Sequence, residues 1–140
     1  MHHYGNREHI IRVSAHRTAK ARQQHLRAEL RARGMVAFLP RPLEEELRDA
    51  RVWLAWQEVH RSDPGTHLTI AEARDWERGY VSQTLQQDYE SDQVREIYSL
   101  IEGLLAAVCA PERPLDLDTA HRILDTRAGD LTAPPVRSAG

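Results

Sequence analysis

Apolar residues recur at helical spacing along most of this chain, and nowhere do they alternate for long enough to make a sheet. Over Glu8–Arg33, Ile11, Ala15, Ala19, Leu26 and Leu30 fall within about a third of a helical circumference, a narrow apolar stripe on a long helix. Gly34 is the expected stop, since glycine readily takes the left-handed conformation just past a helix end. Met1–Arg7 is polar and reads as a frayed start. Met35–Leu39 is short, apolar and punctuated by Pro40 and Pro42, which fits an extended connector or a small strand pairing across a dimer.

A second helix is expected from Pro42, with Glu44, Glu45 and Glu46 suiting the positive end of its dipole. Leu43, Leu47, Ala50 and Leu54 form one stripe on it, and Val52, Trp56 and Val59 form another. Apolar groups on two sides mark it as the central core helix. After the turn Ser62-Asp63-Pro64-Gly65, Thr69-Ile70-Ala71-Glu72 matches a capping box, which predicts a third helix from Ile70 to about Glu90. The clearest periodicity follows over Asp92–Cys109, where Val94, Ile97, Ile101, Leu104, Leu105 and Val108 share one face. Asp116 or Asp118 should cap a short last helix through Thr126 that buries Leu117, Ala120 and Leu124.

The predicted architecture is all-α: a small helical bundle of four or five helices with a long basic N-terminal helix. Residues 1–127 read as a single helical domain, with the basic helix at 8–33, core helices over 42–110 and the last helix at 116–126. Residues 128–140 read as a flexible tail. At 140 residues one domain with a real core is expected.

Charge changes the picture. Residues 1–42 carry nine basic and two acidic side chains, a net of +7, and the rest carry ten against nineteen, a net of −9. The overall −2 hides that division. On the first helix His9, His16, Lys20, Arg27 and Arg31 share a face beside the apolar stripe, with Arg12 and Arg17 at its edges. A ridge of long cations suits a phosphate backbone, because neutralising phosphates releases condensed counterions. Arginine adds bidentate contacts to phosphate and guanine. Two other readings stay open: the ridge docks on the acidic remainder of the chain or on a partner, or it is simply solvated. Eighteen arginines against one lysine also fit a GC-rich coding bias.

Candidate chemistry beyond the ridge is sparse. The lone cysteine, Cys109, lies in an apolar run and reads as a small buried hydrophobe. No intramolecular disulfide can form, the N-terminus lacks the apolar segment of a signal peptide, and Leu100–Ala110 is too short to span a bilayer. A cytoplasmic protein is expected, with no membrane contact. Among eight histidines, His3 is third from the N-terminus in an arrangement that can hold Cu(II) or Ni(II), and His9 and His16 are spaced to share a face. Neither pattern has accompanying carboxylates, so no metal and no cofactor are expected.

Three stretches resemble known families. Thr69–Leu85 (TIAEARDWERGYVSQTL) resembles a helix-turn-helix DNA-binding unit, and the resemblance implies a polar recognition helix over Gly79–Leu85. A single uninterrupted helix accounts for the same residues. Met35–Arg51 (MVAFLPRPLEEELRDAR) loosely resembles the strand and first helix of a ribbon-helix-helix repressor, which implies a dimer with a ribbon in the major groove. Glu46-x-x-Asp49 and Glu72-x-x-Asp75 resemble half of the carboxylate set of all-α nucleotide pyrophosphohydrolases, and that implies Mg²⁺-assisted phosphate chemistry. Each pair also has an ordinary use as helix-start acids.

The expected function is a non-enzymatic nucleic-acid-associated regulator, binding DNA ahead of RNA through Arg12, Arg17, Lys20, Arg27 and Arg31, and able to homodimerise. The alternative is an adaptor or inhibitor that meets a protein partner through its acidic body at Trp53 and Trp56, since tryptophan anchors many interfaces. A Mg²⁺-dependent hydrolase ranks third, and the balance is against an enzyme.

Overall fold

The computed structural model describes residues 2–59 and 61–132, with backbone alone for 2–6. Five α-helices run through them: α1 (His2–Arg33), α2 (Glu44–Val59), α3 (Pro64–Leu85), α4 (Asp92–Val108) and α5 (Leu117–Leu131). The all-α bundle with a long basic first helix is what the periodicity predicts, and no strand occurs among the described residues.

The capping chemistry explains where the helices begin and stop. Gly34 closes α1 with φ at +74°. Asp63 caps α3 by accepting from the Gly65 N–H at 3.2 Å, with Pro64 in the first turn. Ser91 caps α4 through the Val94 N–H, and Asp116, rather than Asp118, caps α5 through the Thr119 N–H. These caps correct several expected boundaries. The start of α3 moves from Ile70 back to Pro64 because the Asp-Pro signal lies earlier than the Thr69–Glu72 box, which sits inside the helix. Its end moves from Glu90 back to Leu85, since Gln86 turns left-handed with φ at 54° and ends the ladder. Helix α1 begins at His2, so Met1–Arg7 is not a frayed start over its described backbone. Helix α5 continues past Thr126 to Leu131, so the tail boundary at 128 is too early; the remaining tail, 133–140, lies outside the described residues.

Met35–Leu39 is neither an extended connector nor a strand. Gly34–Phe38 winds into a 3₁₀ turn that buries Met35, Ala37 and Phe38. With no strand there, the ribbon-helix-helix resemblance fails. Phe38 meets Tyr80 edge-on at 5.9 Å between ring centroids, and the Tyr80 hydroxyl donates to the Leu30 carbonyl at 3.3 Å.

Neighbouring contacts give the topology. Helices α1 and α3 run parallel: Arg12 lies against Gly65, Arg22 pairs with Glu77, and Leu30 meets Tyr80. A Cβ at position 65 would meet the guanidinium end of Arg12, an exposed and flexible side chain that can shift aside, so glycine eases this contact without being required by it. Between them in sequence, α2 returns antiparallel, with Glu46 near His25 and Trp53 under Arg22. Helix α4 then runs antiparallel to α3 through Arg74–Glu102, and α5 runs antiparallel to α4 through Arg127–Glu96.

The core centres on α4, not on α2. Val94, Ile97, Ile101, Leu104, Leu105 and Val108 are all buried, as their spacing predicts. In α2 only Ala50 and Trp53 are buried, while Val52 and Val59 are 42% and 39% exposed. Two apolar stripes on α2 found only one covering surface. The α1 stripe is buried at Ala15, Ala19, Leu26 and Leu30.

Tyr98 is buried within this core. Burial, then the charges of Glu77 and Glu102, push its phenol well above the ordinary tyrosine range, against the opposing pull of Arg74. The unfolded chain releases that proton near pH ~10, and the folded chain holds it longer. Stability is therefore full below about pH 10 and falls as pH rises beyond it. Urea denaturation at rising alkaline pH should show a shallower loss for Tyr98→Phe than for the native chain.

Candidate nucleic-acid interface

Helix α1 divides into a docked face and a free face. Ala15, Ala19, Arg22, Leu26 and Leu30 face the bundle, while His9, His16, Arg17, Lys20, Arg27 and Arg31 are exposed. From Arg17 to Arg31 the ridge spans ~21 Å at 1.5 Å per residue. Arg12 also reaches the surface, draped over Gly65 at the start of α3. Because α3 begins only opposite Arg12, the preceding turns of α1 run on beyond it, and Arg7, Glu8, His9 and Ile10 are all exposed.

The bundle's ion pairs use other cations. Arg22 pairs with Glu77, Arg33 with Glu29, Arg41 with Glu29 and Glu46, Arg74 with Glu102, Arg78 and Arg95 with Glu90, and Arg127 with Glu96. Among the described residues, Arg12, Arg17, Lys20, Arg27 and Arg31 form no ion pair. The acidic body therefore does not neutralise the ridge. Arg27 is held instead by stacking, its guanidinium 5.6 Å from the Trp76 ring centroid. Stacking leaves the N–H edge of a guanidinium open to an acceptor.

No protein family, curated protein or solved structure matches this chain. The functional reading therefore rests on the residues themselves.

The other expected sites fare differently. Thr69–Leu85 lies wholly within the unbroken helix α3, so there is no turn to separate a recognition helix, and the helix-turn-helix resemblance fails. Trp53 is 2% exposed and packs in the core beneath Arg22, and Trp56 is half-buried. The carboxylate pairs are not assembled into one site: Glu46 is held by Arg41 at 2.8 Å, and Asp75 accepts from the Tyr89 hydroxyl at 2.8 Å. Among the described residues, no three metal-ligating side chains of His, Cys, Asp and Glu cluster. The side chains of His2 and His3 lie outside the described residues. Cys109 is half-buried, and its burial raises the thiol's pKa despite the nearby Arg51. No helix among the described residues is long and apolar enough to cross a membrane.

One pair escaped sequence reasoning. Arg22 interrupts the apolar stripe of α1, and Glu77 interrupts that of α3 between Ile70 and Val81. Their side chains are only 15% and 4% exposed, and two hydrogen bonds join them at 3.1 and 3.2 Å. A base set into one apolar stripe and an acid set into another was the available signal.

Proposed function

We propose that this protein is a non-enzymatic nucleic-acid-associated regulator that binds duplex DNA through the free face of α1. The carrying observation is the set of exposed, unpaired cations Arg17, Lys20, Arg27 and Arg31 on one helical face, with Arg12 exposed at its edge beside α3, while the ion pairs of the body draw on other arginines. Phosphates would meet Arg12, Arg17, Lys20, Arg27 and Arg31. Duplex DNA is favoured over duplex RNA because the B-form major groove admits a helix, whereas the A-form major groove is too narrow. The turns of α1 that run beyond α3 leave room for such an approach.

Fluorescence anisotropy with mixed-sequence duplex DNA across a salt series tests this. Five phosphate contacts give a log–log salt slope of about −4.5, so affinity should fall ~500-fold between about 50 and 200 mM salt. Replacing Arg17, Lys20 and Arg31 with alanine should flatten the slope to about −2. Absence of binding at low salt, or an unchanged slope in the variant, would overturn the proposal and put a protein partner first.

A further inference from the structure

Among the described residues four arginines lie over aromatic rings: Arg22 over Trp53, Arg27 over Trp76, Arg74 over Tyr98 and Arg78 over Tyr89. The ring takes up only the face of a guanidinium, so its N–H edge still needs an acceptor. For three of the four the protein supplies one. Arg22 donates to Glu77 at 3.1 and 3.2 Å, Arg74 to Glu102 at 2.8 Å, and Arg78 to the Tyr89 carbonyl at 3.0 Å. Arg27 differs: among the described residues its edge meets no carboxylate and no carbonyl. Its helical neighbours three and four residues away are Gln23, Gln24, Leu30 and Arg31, none of them acidic. Across the seam, the buried acid of α3, Glu77, is taken by Arg22.

Arg22, on the same helix, shows what completes such a pair. It lies 5.0 Å from the Trp53 centroid, and the two oxygens of one carboxylate close its edge. Arg27 lies 5.6 Å from the Trp76 centroid and is exposed, while Trp76 is half-buried and packed against the core. A ring fixed by packing restrains the guanidinium in advance, so less freedom is lost when its edge is engaged. Two anionic oxygens on one atom match that edge. We propose that Arg27 and Trp76 form a phosphodiester clamp, with Trp76 as the positioning residue and Arg27 donating to both free oxygens of one DNA phosphate. The clamp rests on the nucleic-acid reading of α1 and adds a residue of α3 to it. Phosphate is the target rather than a base because Arg27 lies on the flank of the free face that borders α3, whereas Arg17 and Gln24 lie nearer the side opposite the apolar stripe.

Anisotropy with mixed-sequence duplex DNA over a salt series tests the clamp. Arg27→Lys keeps the charge but loses the planar fork, so affinity should fall ~3-fold at an unchanged salt slope. Trp76→Leu should cost the same ~3-fold in the native background and nothing in an Arg27→Ala background, whereas Trp76→Phe should keep most of the native affinity. Far-UV circular dichroism and urea midpoints establish that each variant is folded. In the free protein, NMR relaxation should show the Arg27 Nε–H more ordered than those of Arg17 and Arg31, a difference that Trp76→Leu removes. Native affinity in Arg27→Lys, an equal loss from Trp76→Leu with and without Arg27, or an Arg27 Nε–H as mobile as the other two would overturn the clamp and leave the native chain's salt-dependent binding standing. Absence of binding by the native chain at low salt would overturn the nucleic-acid reading and the clamp with it.

Discussion

Glu77→Gln is expected to lower the stability of this protein by about 3 kcal/mol, read as a shifted urea midpoint at unchanged slope. The substitution keeps the size of the side chain and removes the charge that Arg22 faces. Arg22 is 15% exposed at its side chain, donates through both Nε and Nη2, and lies 5.0 Å from the Trp53 ring centroid. Its cation cannot swing into water without leaving Trp53 bare. An uncompensated buried charge is what makes breaking such a pair costly, whereas the intact pair itself contributes little net stability. The double variant Arg22→Met/Glu77→Leu should therefore sit near the native midpoint. A loss under about 1 kcal/mol for Glu77→Gln would mean that water reaches the pair and that the clasp between α1 and α3 is weak.

Ile101→Ala should cost about 3 kcal/mol, while Val52→Ala should change stability by less than about 0.5 kcal/mol. Ile101 is 1% exposed on the face that α4 turns to its neighbours, so truncation leaves a cavity that close-packed surroundings fill only in part. Val52 is 42% exposed on α2 and leaves no comparable void. For a chain of this size the first change corresponds to a drop of ~10 °C in Tm. Equal losses at the two positions would return α2 to the centre of the core. Against a total stability of about 5–15 kcal/mol, either large effect is a substantial fraction.

Where local chemistry suffices, the chain can be read directly. The α4 face was legible because six apolar positions repeat at helical spacing, and Gly34, Ser91 and Asp116 act on backbone groups within a few residues of themselves. The stop at Leu85 was not legible. Gln86 takes a left-handed conformation that glutamine rarely favours, and the turn is held by the Ser82 hydroxyl donating to the Gln87 carbonyl at 2.6 Å. The 3₁₀ turn over Gly34–Phe38 was equally hidden. A five-residue apolar run between a glycine and two prolines suits a strand as well as a turn, until Tyr80 and the core accept its side chains.

The ridge on α1 was legible as a pattern of cations but not as a free surface. Spacing places Arg17, Lys20, Arg27 and Arg31 on one face, and whether that face is neutralised depends on which acids of the other helices come within reach. Those acids took different partners: Glu77 went to Arg22, Glu102 to Arg74 and Glu96 to Arg127. The packing of Leu26, Phe38, Trp53 and Leu105 is a tertiary feature throughout, since these buried side chains come from four separate elements. By itself the sequence determined the helices, most of their caps and the uneven charge, because each follows from groups a few residues apart. The choice of α4 over α2 as core, the pairing of Arg22 with Glu77 and the unpaired state of the ridge were decided only by the tertiary structure. Burial and long-range ion pairing depend on which faces meet, and periodicity along one helix carries no information about its neighbours.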